Sequence, residues 1–283
     1  MPGTKPINRR VMVRSSLFGL LAVQMPFLAY AKDIQPAEKA FFKKDLYHRY
    51  PAIEDDLVSE VVGASHFDFK RIRDLVGNRP ELSRATWDWG FGDWESAIGA
   101  ASHVGRKDIA TYLIAKGARP TLFTFAMLGA YNHVKEAINF YPGIQKNDGP
   151  HGFSLLHHAE VGLKENTGNK REAQKLVDFL KKLGDADGRK YQNLKEEDKA
   201  KYLGDYRYGD GANDGFSIRL NMRKLLSLGK IGSFGGALYK IGENKFTYNG
   251  APSVTVTFEE KDNAITGLVV EEPGLVLKAA KVN

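Results

Sequence analysis

The feature that most constrains this chain is the stretch from Glu95 to Ala118, which reads as two short apolar helices punctuated by glycines. The first carries small residues (Ala100, Ala101, Ser102), as a helix needs when a neighbour approaches closely. The second places Ile109, Leu113 and Ile114 at helical spacing. Gly105 breaks the pair, and Gly117 ends it in the position of a left-handed cap. Two helices this short cannot bury their own apolar face, so the sequence demands neighbours of the same kind.

Those neighbours are readable. Gly152 to Ala159 followed by Leu176 to Asp187 repeats the pattern, with Ser154 standing where Ser96 stands in the first copy. Between them, Thr121–Leu128 and His133–Ile138 read as a shortened pair. Upstream, Leu57–Gly63 and Phe69–Val76 read as another. With Ser96–Gly99 in the place of T-P-L-H and a second helix closing on Gly117-Ala118, the pattern resembles the ankyrin repeat, over roughly residues 55 to 187. The resemblance implies a helical solenoid of about four repeats whose concave face and finger-like turns bind another protein. Residues 32–54 are expected to form the capping segment that the end of such an array requires.

After Asp187 the pattern changes. Residues 188–201 are charged and polar, as a linker is. Phe216–Met222 and Val254–Phe258 then alternate apolar with polar residues, and Asn249-Gly250 and Lys261-Asp262-Asn263 supply turns. Residues 202–283 are therefore expected to form a small antiparallel meander curled into a half or full barrel. This segment resembles the small lipocalin-like β domain appended to secreted serine hydrolases of the β-lactamase and penicillin-binding type. In those proteins the domain is an accessory, and the catalytic domain it accompanies has no counterpart here. The expected fold class is α+β multidomain: an ankyrin-like helical solenoid followed by a small antiparallel barrel or half-barrel.

At the start, Arg9, Arg10 and Arg14 precede the apolar run Leu17–Val23, and Ala29-Tyr30-Ala31 has the small residues a signal peptidase reads. Residues 1–31 are expected to be a secretory signal cut after Ala31, of the Sec or the twin-arginine kind. That implies an exported, periplasmic or extracellular protein with no stable membrane anchor after signal removal. The formal net charge of +7 falls to +3 without the four basic residues of this segment. So weak a field, with no basic run interleaved by aromatics, argues against nucleic acid as a partner. The chain has no cysteine, which excludes disulfides, thiolate metal sites and a cysteine nucleophile.

No nucleophile elbow, phosphate loop or H-E-x-x-H is present, and no enzyme activity or cofactor is expected. His103, His151, His157 and His158 could supply imidazoles to a metal, but neighbouring His157 and His158 on a helix point in different directions, and no metal site is expected. Trp87, Trp89, Phe91 and Trp94 cluster in the finger, either as an exposed hot spot or as cover for the junction between repeats. Beside them, Ser102, His103, Asn132, His133, Asn147, Asp148 and His151 are the polar candidates for contact with a protein partner. In the β domain, Phe234, Tyr239, Phe246 and Tyr248 either line a pocket for an apolar ligand or envelope fragment or fill the barrel. The leading expectation is a non-enzymatic exported module that binds another protein. The alternative is a small-ligand carrier.

Overall fold

The computed structural model describes residues 49–165, 169–233 and 235–282. The segment expected to be a secretory signal, residues 1–31, the expected cap as far as residue 48, and Phe234 lie outside the described residues. Among the described residues, no helix is long and apolar enough to cross a membrane.

Short helices come first: α1 (Asp55–Ala64), α2 (Phe69–Asn78), α3 (Ala97–His103), α4 (Lys107–Ala115), α5 (Leu122–Met127), α6 (Tyr131–Phe140), α7 (Leu155–Glu165) and α8 (Lys170–Leu183). Their ends follow local chemistry. Asp68, Ser96, Thr121 and Asn169 each cap a helix N-terminus by accepting a backbone N–H with the side chain. Gly184 closes α8 at φ 75°, a conformation that costs a residue with a Cβ. Helix α8 shows why the elements persist despite their length: Ala173, Leu176, Val177 and Leu180 form one buried stripe, and the last three share a core with Val134, Ile138 and Leu155. Each such large side chain contributes about 1.5–3 kcal/mol of burial. Helices α5 and α7 cross at Gly162, where an added Cβ would meet the Met127 carbonyl oxygen at 1.9 Å.

A hairpin, β1 (Thr86–Asp88) and β2 (Trp94–Ser96), precedes α3, with Trp87 opposite Glu95. Past the short helix α9 (Glu196–Lys199) come eight strands: β3 (Gly204–Arg207), β4 (Gly215–Leu220), β5 (Leu226–Lys230), β6 (Gly236–Gly242), β7 (Lys245–Tyr248), β8 (Thr255–Lys261), β9 (Ala264–Glu272) and β10 (Leu275–Lys281). They form a closed antiparallel barrel in the order β10-β3-β4-β5-β6-β7-β8-β9. Pairing of Ala280 with Arg207 and Lys281 with Tyr206 closes it, removing the edges that an open meander would leave. Asn249-Gly250 and Asp262-Asn263 adopt the positive φ angles of tight turns. The interior is packed: Tyr206, Ile218, Leu228, Phe246, Tyr248, Val256, Phe258 and Leu268 share one core. Phe246 and Tyr248 thus fill the barrel, and a pocket lined by them is not what the structure shows.

The expectation of an ankyrin-like solenoid with an open concave face is corrected. Among the described residues only the first helix pairs are separated by a β finger. The later positions hold a helix cap at Thr121 and 3-10 turns at Ile144–Lys146 and Pro150–Gly152. The finger and the last of these turns do not stand clear for a partner. Tyr248 donates to the Trp89 carbonyl (3.3 Å), Phe91 packs edge-on against the Tyr248 ring, and Tyr239 donates to the His151 carbonyl (3.0 Å). Helices and barrel make one compact unit from Asp56 onward. The physical reason is polar: the Trp89 and His151 carbonyls and the Asp93 carboxylate in these loops take their donors from the barrel residues Tyr248, Tyr239 and Asn249.

Candidate metal centre

Strand β2 alternates, so Trp94 faces outward while Glu95 faces in, on the same side as Trp87 and Trp89. Glu95 is fully buried, an expensive place for a carboxylate unless charges or hydrogen bonds meet it. Three imidazoles do. His66 follows α1, His103 is the last residue of α3, and His151 sits in the turn before α7. One potential ligand atom from each of His66, Glu95, His103 and His151 lies within 4.8 Å of the other three.

The separations around the carboxylate are 3.4 Å from His66 Nε2, 3.3 Å from His151 Nε2 and 3.0 Å from His103 Nδ1. Bonds of ~2.0–2.1 Å to a tetrahedral zinc ion place ligand atoms ~3.3–3.4 Å apart. The two imidazoles on Glu95 Oε2 match that spacing, His103 approaches the other oxygen, Oε1, and a pair at the 4.8 Å limit would need to close by about an ångström or more. Oε1 of Glu95 and Nδ1 of His103 face each other without the alignment of a hydrogen bond, and both are buried with no other partner. Two lone-pair atoms pointed into the same small space are what a cation would satisfy.

The outer atoms are already held. His66 Nδ1 lies 3.0 Å from the Gly63 carbonyl. His151 Nδ1 lies 2.6 Å from Asp93 Oδ2, while the His151 backbone N–H donates to Asp93 Oδ1 at 2.9 Å. Anchoring Nδ1 to a carbonyl or carboxylate leaves Nε2 to act as a ligand, the arrangement that orients metal-bound histidines. His151 has φ 58°, a strained conformation for a residue with a Cβ, which the two bonds to Asp93 hold in place. Trp89 Nε1 donates to Glu95 Oε2 at 2.8 Å.

Electrostatics favour positive charge here, which a proton on His151 supplies in the metal-free protein. Burial works to raise the Glu95 carboxyl, but His103 and His151 outweigh it and hold it far below the usual carboxylate range. Burial works to lower His151, yet Asp93 and Glu95 lift it to about 9. His103 is pushed down by burial, with Glu95 opposing. Once the imidazoles are neutral, Asp93 and Glu95 together match the charge of one divalent ion.

The structure brings together two of the residues singled out from sequence, His103 and His151, and adds His66 and Glu95, which sequence reasoning missed. One signal was present: His66 and His103 recur just after or at the ends of α1 and α3. The other described histidines lie outside the cluster. His157 Nε2 is 2.9 Å from the His103 carbonyl, and its ring stacks on Phe153. His158 is buried, holds the Ser154 carbonyl at 2.8 Å, and is lowered by burial to about 3.

The other partner-binding candidates do not form one surface. Ser102 is buried, donating to the Ile98 carbonyl and lying 3.1 Å from the Thr124 hydroxyl. Trp87 is half-buried, Trp89 serves Glu95, Phe91 packs on Tyr248, and Trp94 is 63% exposed on the outer face of the hairpin. Asn132 and His133 are exposed on α6, with His133 stacked on Phe125, and Asn147 is exposed in the loop beyond. Asp148 is half-buried and pairs with Arg189 at 3.3 Å. Tyr239 stacks on Tyr191 outside the packed barrel core. A Ser-Leu-Gly-Lys run, Ser227–Lys230, spans β5, where strand alternation sends its serine and lysine to opposite faces, so it makes no catalytic pair. Compared with protein-family models, curated proteins and solved structures, the chain matches none.

Proposed function

We propose that this protein binds a single divalent transition-metal ion of the zinc class through His66, Glu95, His103 and His151. The observation that carries this reading is the buried facing of Glu95 Oε1 and His103 Nδ1 at 3.0 Å, neither with any other partner, inside a ring completed by two imidazoles with anchored Nδ1 atoms. A chain without cysteine must hold such an ion with imidazole and carboxylate, and imidazole suits zinc, copper, nickel and iron.

The ligand set speaks for binding and against catalysis. Catalytic zinc sites use three protein ligands and keep a position for water, whereas four protein ligands close the sphere. Asp93, the nearest further carboxylate, is committed to His151 through both oxygens. The reading is thus of a non-enzymatic, metal-loaded protein, acting outside the cytoplasm if residues 1–31 direct export. The ion enters from the side of His66 and His151, whose side chains are 23% and 21% exposed, against 6% for His103 and 0% for Glu95.

Titration of chelator-treated protein with Zn²⁺ and Co²⁺ tests this. One ion per chain and a cobalt visible spectrum of the low-symmetry tetrahedral type are expected, both lost in His103→Ala and in His66→Ala/His151→Ala. Failure of the wild-type chain to take up either ion at tens of micromolar refutes the proposal.

A further inference from the structure

The ligands come from the helices and hairpin, yet the contact that fixes one of them comes from the barrel. Asn249, buried in the turn after β7, donates through Nδ2 to Asp93 Oδ2 at 2.5 Å, the same oxygen that holds His151 Nδ1 at 2.6 Å. Its own orientation is fixed: Oδ1 accepts the Ala237 N–H at 2.6 Å, and its backbone N–H donates to the Ala237 carbonyl at 2.8 Å. The side-chain amide is therefore locked to strand β6 on one side and aimed at Asp93 on the other. The same part of the barrel grips His151 again, through the Tyr239 hydroxyl on the His151 carbonyl.

We propose that Asn249 is a positioning residue for the metal centre, so that the barrel sets metal affinity through the chain Asn249, Asp93, His151. This rests on the metal-binding reading above and deepens it. Without the amide, Asp93 loses the donor that keeps Oδ2 under the imidazole, and His151 Nε2 is no longer held toward the other ligands. Loss of an outer partner of this kind typically weakens metal binding 10- to 100-fold.

The test uses the full chain and Zn²⁺ in competition with a chromophoric chelator, with the Co²⁺ spectrum as a second readout. Asn249→Asp keeps the acceptor for Ala237 N–H and a residue type that tolerates φ 42°, but removes the donor to Asp93. Asn249→Gly, suited to the same backbone conformation, serves if the aspartate variant does not fold. Arg189→Ala is the control: it releases the Gly250 carbonyl, one residue away in the same turn, without touching Asp93.

Zn²⁺ affinity is expected to fall at least 10-fold in the Asn249 variants, with an altered Co²⁺ spectrum, and to stay within threefold in Arg189→Ala. Binding within threefold of wild type in the Asn249 variants overturns the assignment while leaving the metal site standing. So does an equal loss in Arg189→Ala, which marks a general loosening of the turn. A wild-type chain that takes up no Zn²⁺ overturns the metal reading itself, and the assignment with it.

Discussion

Replacing Glu95 by Gln in the metal-free protein keeps the shape of the side chain and removes its charge, and the effect is set by His151. Burial pulls that imidazole down, but Asp93 and Glu95 raise it from 6.5 to about 9. A folded-state value above the unfolded one means that the stabilisation is fully present below pH 6.5 and is lost as pH rises through 9. At about 1.4 kcal/mol per pH unit, the whole effect is on the order of 3 kcal/mol. Asp93, at 2.6 Å from His151, gives the largest single lift and Glu95, at 3.3 Å, the next, so that about 1–2 kcal/mol falls to Glu95. The depression of the Glu95 carboxyl comes first from His103 and then from His151, and its His151 part is the same interaction seen from the other partner and is not added. Glu95→Gln should therefore cost about 1–2 kcal/mol in urea unfolding at pH 6 with chelator present. At pH 9.5 the penalty should vanish or reverse, because wild type then buries a carboxylate whose imidazolium partner has lost its proton. An equal penalty at both pH values, or none at pH 6, refutes the assignment of charge.

Gly162→Ala puts a methyl against the Met127 carbonyl oxygen and should destabilise the fold by about 3 kcal/mol or more, read as a lowered urea midpoint with an unchanged slope. Gly236→Ala places its Cβ 2.3 Å from the Tyr248 ring and should free that tyrosine from the Gly236 N–H and the Trp89 carbonyl, seen as a changed near-ultraviolet dichroism and a loss of about 1–3 kcal/mol. Trp89→Phe removes the indole donor to Glu95 and should cost about 1.5–3 kcal/mol, read in the same unfolding assay. Zinc at a free concentration 100-fold above its dissociation constant adds about 2.7 kcal/mol. In a thermal melt that appears as a rise of about 5–10 °C that chelator abolishes.

Much of the architecture was legible. Helical spacing and glycines placed α3 through α8, because Ile109, Leu113, Leu176 and Leu180 each face a core that any helix of that register must find. Alternation and the turns at Asn249-Gly250 and Asp262-Asn263 placed the barrel strands. Closure was less legible, since it depends on Tyr206 and Arg207 meeting Ala280 and Lys281 across the whole length of the domain. Repeat-like helices suggested an open array, but what covers the finger was invisible: Trp89 and Phe91 meet Tyr248 about 160 residues away in sequence.

The His/Glu cluster was hidden for the same reason. His66, Glu95, His103 and His151 come from a loop, a strand, a helix end and a turn with no short motif joining them, so only the fold reveals that they converge. Glu95 in particular sits between Trp94 and Ser96, where alternation can send it either way until the hairpin's inner face is known.

X-ray absorption at the zinc edge, on protein loaded with one equivalent of Zn²⁺, addresses the central claim directly. A first shell of three imidazole nitrogens and one carboxylate oxygen at ~2.0–2.2 Å is expected, with one imidazole lost in His103→Ala. A shell made mainly of water oxygens, unchanged by that substitution, contradicts the account.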